Sequence, residues 1–373
     1  MKELTRRRFA VPAFAFTRVS WWLLIVILTL GLAMYVGALW DGIVTFPAAG
    51  VVGVMPAAVV GLVWWWLLRF PQLWGRVRRS GSWVALGWGA VVATGIYALP
   101  SNSALITILG QHVGIDFAQE WGPALAAPLT EEVGKAFAIA MILAVAREQL
   151  RTPMDGALIA GFAGLGFTLT EDILYGFNMA YISFGENPVI STLLVFFLRA
   201  VLFGAVSHVI FSAFVGAGVG WFATGVGPRR FVYGAVFVAI GVFMHFAWNS
   251  PMLLELAARA VYVLVVPFLV WWGIHVVRRE EHRWFRRTLE APGALGAIPP
   301  AYLDSVRPTW RQRRIYRKDV VRAFGPRALV SQRRLEAELT DLADAVAMGD
   351  EADAGRLRAA LEARLAPPSP STS

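Results

Sequence analysis

Residues 122–146 read GPALAAPLTEEVGKAFAIAMILAVA, an apolar run interrupted by two glutamates and a lysine. Such a run exceeds the roughly 20 residues that a helix needs to cross a hydrocarbon core about 30 Å thick. Further stretches of this kind predict about eight membrane spans. They lie near residues 20–40, 48–69, 82–100, 122–146, 156–176, 200–223, 230–248 and 259–277. The stretch 188–223 is either an interfacial helix followed by one span or two full spans, which would reverse the alternation of every later loop. The segments are too long for barrel strands, so the sequence predicts an all-α polytopic membrane bundle.

Composition supports a membrane protein. Of the 373 residues, 57% are hydrophobic, and the mean hydropathy is +0.58. Soluble domains are nearer one half apolar. The chain has a net charge of +9, but lysine and arginine concentrate at the two ends and in alternate loops. This pattern is typical of topology signals and predicts the lipid bilayer, and no nucleic acid, as a partner. The chain lacks cysteine, which excludes disulfides, thiolate metal sites and a cysteine nucleophile.

Loop charges predict the orientation and the domains. Under the positive-inside rule, both termini lie in the cytoplasm. The arginines concerned are Arg6, Arg7, Arg8, Arg76, Arg78, Arg79, Arg147, Arg151, Arg229, Arg230, Arg278 and Arg279. The predicted parts are a basic cytoplasmic N-terminus (1–19), a transmembrane domain (20–278) with a protease-like core at about 120–250, and a small helical cytoplasmic tail (279–373). The preference for arginine over lysine favours a bacterial plasma membrane as the location.

The predicted tail contains two notable segments. Residues 291–308 are rich in proline and glycine and predict a linker. The stretch from Trp310 to Arg322 is strongly basic. It is either a solvated, topology-setting face or a contact for anionic lipid headgroups.

Three charged residues, Glu131, Glu132 and Lys135, stand inside the fourth predicted span. Each costs about 3 kcal/mol at the bilayer centre. Lys135 is one turn beyond the glutamates, so it pairs with one of them and leaves the other without a local partner. The alternative is a structural ion pair with a spare carboxylate near the interface.

Further polar residues occupy the next three predicted spans. Glu171 lies about one turn inside the outer end of its span, where snorkelling to the interface is the alternative to a buried role. Asp172 is rotated by about 100° from Glu171 and is predicted to be a solvated interfacial acid. His208 is expected well inside the sixth span. His245 and Asn249 share one face of the seventh.

These polar groups are predicted to lie at one depth. At 1.5 Å per residue, Glu131, Glu171, His208 and His245 lie roughly 22 to 32 Å above the inner boundary. Four consecutive helices would therefore present them in one layer in the outer half of the membrane. Carboxylates and imidazoles there suit general acid-base hydrolysis through an activated water. Alternatively, the two histidines and a glutamate, taken as Glu171, hold a zinc-bound water.

The motifs resemble those of a known family. They are Glu131-Glu132-x-x-Lys135, Phe167-x-x-x-Glu171, His208 in its own span, and His245-x-x-x-Asn249. They are similar to the motifs of the PrsW-type intramembrane proteases, distant relatives of the CAAX prenyl proteases and of bacteriocin-immunity membrane proteins. The resemblance covers roughly residues 120–250 and leaves the tail outside.

The resemblance implies a role for each residue. Glu131 or Glu132 would activate water. Glu171 and His208 would complete the acid-base or metal site, and His245 with Asn249 would bind the oxyanion or orient water. It also implies a membrane-anchored substrate, such as an anti-sigma-factor-like regulator, cleaved near the extracytoplasmic face.

Two other classes of function compete with an intramembrane endopeptidase. Buried glutamates and histidines also form the proton relays of transporters. A non-catalytic membrane scaffold or immunity protein would keep the same fold. A proton relay predicts polar groups across the full depth of the membrane, whereas these groups form one layer. The sequence therefore favours hydrolysis.

Overall fold

The structure is a computed structural model that describes residues 18–69, 79–146, 149–202 and 208–365. These residues are almost entirely helical and include no β-strand. The helices are α1 (Val19–Thr45), α2 (Pro47–Leu67), α3 (Arg79–Gly87, a π-helical stretch Trp88–Ala98, and Leu99–His112), α4 (Ile115–Ala146), α5 (Pro153–Ile182), α6 (Pro188–Phe196, continued as a π-helical turn Phe197–Leu202), α7 (His208–Thr224), α8 (Arg229–Asn249), α9 (Leu256–Leu289), α10 (Trp310–Phe324), α11 (Ala328–Ala347) and α12 (Glu351–Leu365). Short 3₁₀ turns occur at Pro251–Leu254 and Pro300–Ser305.

The described residues form an all-α membrane bundle, as predicted. Six of their helices are long and apolar enough to cross a bilayer: α1, α2, α3, α5, α8 and α9. Helices α6 and α7 are apolar but shorter, and α4 carries the buried charges of the site.

The sixth predicted span, 200–223, does not match a single described helix. Helix α6 ends at Leu202 and α7 begins at His208, on either side of residues 203–207, which lie outside the described ranges. His208 is the first described residue of α7, so its depth within the predicted span stays a prediction.

Helix α5 is the centre of the membrane bundle. It packs against α2, α3, α4, α6 and α7. Its contact with α7 requires glycine, because a Cβ atom on Gly164 would lie 2.5 Å from the carbonyl oxygen of His208. A Cβ on Gly156 would lie 2.3 Å from the carbonyl oxygen of Gly216. The absence of side chains at these positions brings the backbones of α5 and α7 together at two levels, near His208 and near Gly216.

The start of α5 is fixed by a capping box. The backbone N–H of Asp155 donates to Thr152 Oγ1 at 3.4 Å, and the backbone N–H of Thr152 donates to Asp155 Oδ2 at 3.0 Å. Pro153 occupies the first turn, where its missing N–H costs nothing. These contacts set the point from which α5 runs to Glu171.

A second compact unit begins at Ile274, within α9. Its core contains side chains from α9, α11 and α12, including Phe285, Leu339 and Leu357. The segment 291–308 contributes Leu295, Ile298, Leu303 and Val306 to the same core. This segment differs from the predicted linker, because apolar residues placed between its prolines and glycines are buried within the unit.

Some of the predicted topology signals lie outside the described residues. These are Arg6, Arg7, Arg8, Arg76, Arg78 and Arg147, together with all but the last two residues of the basic N-terminus 1–19.

Candidate active site

The charged motif of α4 is buried. Glu131, Glu132 and Lys135 are each 3% exposed or less. The indole N–H of Trp88 in α3 donates to the carbonyl oxygen of Gly134 at 2.9 Å, which holds α3 against α4 at this level. The motif therefore faces other helices and not lipid.

Lys135 bridges the two glutamates. Its Nζ lies 3.3 Å from Glu131 Oε2 and 2.9 Å from Glu132 Oε1. It also lies 3.0 Å from Nδ1 of His208 and 3.9 Å from the ring centroid of Phe167. The expectation that one glutamate lacks a local partner is therefore wrong. A single ammonium serves both carboxylates, because the i,i+3 and i,i+4 positions lie on the same side of the helix.

His245 of α8 is held by Glu132. Its Nδ1 lies 3.0 Å from Glu132 Oε1, and the other oxygen, Oε2, accepts a hydrogen bond from Ser212 Oγ at 2.8 Å. The Nε2 atom of His245 is buried, has no hydrogen-bond partner among the described residues, and lies 3.6 Å from Glu131 Oε2. The carboxylate at Nδ1 assigns the N–H to that nitrogen, which leaves the lone pair of Nε2 on the side of Glu131.

His208 repeats this arrangement with different atoms. Its Nε2 lies 2.9 Å from Glu171 Oε2, while its Nδ1 lies 3.5 Å from Glu131 Oε2. A neutral ring that donates from Nε2 to Glu171 accepts from the Lys135 ammonium at Nδ1. Each imidazole thus has one nitrogen held by a carboxylate and the other turned towards Glu131.

The set Glu131, His208 and His245 suits a metal ion. One potential ligand atom from each lies within 4.8 Å of the others, and all three residues are buried. Two imidazoles and one carboxylate are the protein ligands of a common class of catalytic zinc site. Carboxylates behind metal-bound histidines, here Glu132 and Glu171, are the usual second partners in such sites. The unpartnered Nε2 of His245 is consistent with this role.

The structure groups Glu131 with the two histidines, whereas the sequence analysis proposed Glu171 as the third metal ligand. Glu171 lies on the far nitrogen of His208, where Arg199 Nη2 of α6 also contacts it at 2.6 Å. Arg199 Nε contacts Asp172 Oδ1 at 2.9 Å. The expectation that Asp172 is a solvated acid is wrong, because it is only 3% exposed and pairs with this arginine from another helix.

Sequence reasoning missed two polar residues beside Glu131. Asn102 Nδ2 of α3 donates to Glu131 Oε1 at 3.0 Å, and Thr130 Oγ1 donates to Asn102 Oδ1. Asn102 lies just beyond the predicted span 82–100, between two serines, so the sequence gave little reason to place it in the site. Asn249, which the sequence placed in the site, is half-buried one turn after His245 and makes no side-chain hydrogen bond to the described residues.

The comparison with protein families decides the identity. The pattern of the PrsW family intramembrane metalloproteases matches residues 79–273, which is more than half of the chain. The chain belongs to the PrsW family. The resemblance stated from the motifs is thus confirmed, and this PrsW-family chain is a multi-pass membrane protein with an intramembrane protease domain. The matched region contains the whole cluster, from Asn102 to His245, and ends before the second compact unit. No curated protein and no solved structure matches the chain.

Proposed function

We propose that this PrsW-family protease is an endopeptidase whose water-activating centre is the cluster around Glu131. One observation carries the proposal. Glu131 Oε2 lies 3.5 Å from His208 Nδ1 and 3.6 Å from His245 Nε2, and each imidazole is held from behind by another carboxylate. This arrangement fixes two ring nitrogens and one carboxylate oxygen around a common point.

The residues of the cluster divide into two groups. Glu131, His208 and His245 would hold a zinc ion, which when bound supplies a Lewis acid and a water of lowered pKa. In the alternative without a metal, Glu131 instead stands where a carboxylate can accept a proton from the reacting water. Glu132 and Glu171 orient the imidazoles and act only through them.

The remaining polar groups complete the proposal. Lys135 supplies a buried positive charge to a site that contains several carboxylates. Its contacts with His208 Nδ1 and Glu131 Oε2 use atoms that would hold the metal, so the ammonium would give up these two contacts when the ion binds. We assign Asn249, which follows His245 by one helical turn, to the binding of the oxyanion.

The proposed substrate is a membrane-anchored protein, such as an anti-sigma-factor-like regulator. The proposed location is a bacterial plasma membrane, with both termini in the cytoplasm and cleavage near the extracytoplasmic face. The alternation of arginines in the loops supports the orientation. The helix positions of the polar residues, counted from those arginines, support the outer-half depth.

The test is cleavage of single-span candidate substrates reconstituted with the purified chain. Wild type would be compared with Glu131→Gln and His208→Ala. The exposed loop acid Glu186 offers a matched control, Glu186→Gln. We expect the wild type and the control to produce a fragment, and both cluster variants to produce none. Equal amounts of fragment from all four proteins would refute the proposed centre.

A further inference from the structure

One face of α10 carries a row of exposed cations. Arg311, Arg314, Lys318 and Arg322 are all exposed. Spacings of three and four residues place them on one side of the helix. Ile315 lies among them and is 49% exposed. The face therefore combines positive charge with a small apolar area.

The opposite face of α10 is occupied by its own unit. Arg317 Nη2 lies 2.6 Å from Glu336 Oε2 of α11, and Arg313 Nε lies 3.7 Å from the same oxygen. These two arginines therefore share one carboxylate within the unit and do not belong to the exposed row.

The exposed row has almost no acidic partners. Arg311, Arg314 and Lys318 form no ion pair with the described residues, and Arg322 meets only Asp319, at 3.8 Å. Both members of that pair are more than half exposed, and such pairs contribute little in water. The row thus presents uncompensated positive charge.

We propose that this face of α10 binds the anionic headgroups of a lipid bilayer. The unit that bears it begins within α9, a helix long and apolar enough to span the membrane, so the face is permanently tethered to a bilayer. Because the face is tethered to the bilayer, the effective concentration of headgroups near it is higher than that of any soluble polyanion. Each cation near an anionic surface strengthens the contact about fivefold. The half-exposed Ile315 suits the boundary between headgroups and acyl chains.

The natural absence of cysteine allows a site-specific test on the whole chain. A fluorophore on Ile315→Cys reports contact through quenching by nitroxide-headgroup lipids in nanodiscs. We expect strong quenching in discs that contain phosphatidylglycerol, weak quenching in pure phosphatidylcholine, and reversal by 1 M salt, where the Debye length is about 3 Å.

A matched pair of charge variants separates the proposed row from net charge. The first variant replaces Arg311, Arg314 and Lys318 by glutamine. It should lower the ratio of bilayer-bound to unbound tail about 100-fold. The control variant replaces three exposed arginines on α11 and α12, Arg333, Arg334 and Arg356, by glutamine. It removes the same charge and should change the ratio little.

The results that overturn the proposal are equally concrete. They are equal quenching in neutral and anionic discs, quenching that persists in high salt, or equal losses in the two triple variants. A fluorescence response to duplex DNA in neutral discs, with none to phosphatidylglycerol, would assign the face to nucleic acid instead. The lipid and salt comparisons use only the labelled chain, so they hold even if a triple variant misfolds.

Discussion

Replacing each glutamate of α4 by glutamine distinguishes the residue that acts on water from the residue that positions His245. Glu132→Gln preserves the local geometry. Its amide oxygen can accept from Lys135 and His245, and its NH₂ can donate to Ser212 Oγ, which accepts as readily as it donates. Glu131→Gln can keep its hydrogen bonds only if the neighbouring amide of Asn102 rearranges.

Glu131 stands between fixed donors. Asn102 Nδ2 donates to its Oε1, and Lys135 Nζ lies 3.3 Å from its Oε2. A glutamine here can meet both contacts only if Asn102 turns over, so that its NH₂ donates to the Thr130 hydroxyl and its Oδ1 accepts from the new amide. The substitution therefore removes the central charge and makes the surrounding hydrogen bonds rearrange.

Glu131→Gln should lower kcat more than Glu132→Gln. Loss of a carboxylate that acts directly on the reacting water lowers the rate about 100- to 10,000-fold. Loss of the partner behind a metal-bound histidine lowers activity about 10- to 100-fold. The assay is kcat for a reconstituted membrane substrate, with circular dichroism to show that both variants fold. If folded Glu132→Gln loses more activity than folded Glu131→Gln, the assigned roles are wrong.

Two smaller substitutions test the supports of the site. Asn102→Ala removes the hydrogen bond to Glu131 Oε1. Because a net hydrogen bond to a charged group contributes about 1.5–3 kcal/mol, we expect a loss of kcat of about 10- to 100-fold and a lower melting temperature. Gly164→Ala places a methyl group 2.5 Å from the carbonyl oxygen of His208, so it should lower both the melting temperature and the cleavage rate. The control is Gly37→Ala, where nothing lies within 4 Å of the added methyl group, and it should change neither quantity.

These two predictions have distinct contrary outcomes. Wild-type kcat in Asn102→Ala would show that the amide does not position the carboxylate. For the glycines, equal melting temperatures of the two alanine variants would mean that α5 and α7 are not in close contact at Gly164.

The sequence predicted the fold class and the residue types of the cluster for physical reasons. Apolar runs of sufficient length have only one structural solution in lipid, the helix. Glu131, His208 and His245 are conspicuous because lipid rejects such side chains, and counting residues along helices placed them at similar depths. The structure brings these three within one small volume.

What the sequence did not predict depends on contacts between helices distant in the chain. Asp172 looked solvated because its partner, Arg199, lies on another helix whose position no local pattern reveals. Asn102 carries no charge, so it gave only a weak signal. The division of labour between the adjacent glutamates depends on which neighbouring helix each one faces, and periodicity does not determine that.

The metal content of the purified chain tests the central claim most directly. We expect stoichiometric zinc in the wild type, coordinated by nitrogen and oxygen in X-ray absorption, and loss of most of it in His245→Ala, since that histidine offers a buried nitrogen without a hydrogen-bond partner in the described part of the chain. Removing the zinc with a chelator should abolish cleavage, and adding it back should restore it. Cleavage by a protein free of metal, undiminished by chelation, would contradict the account.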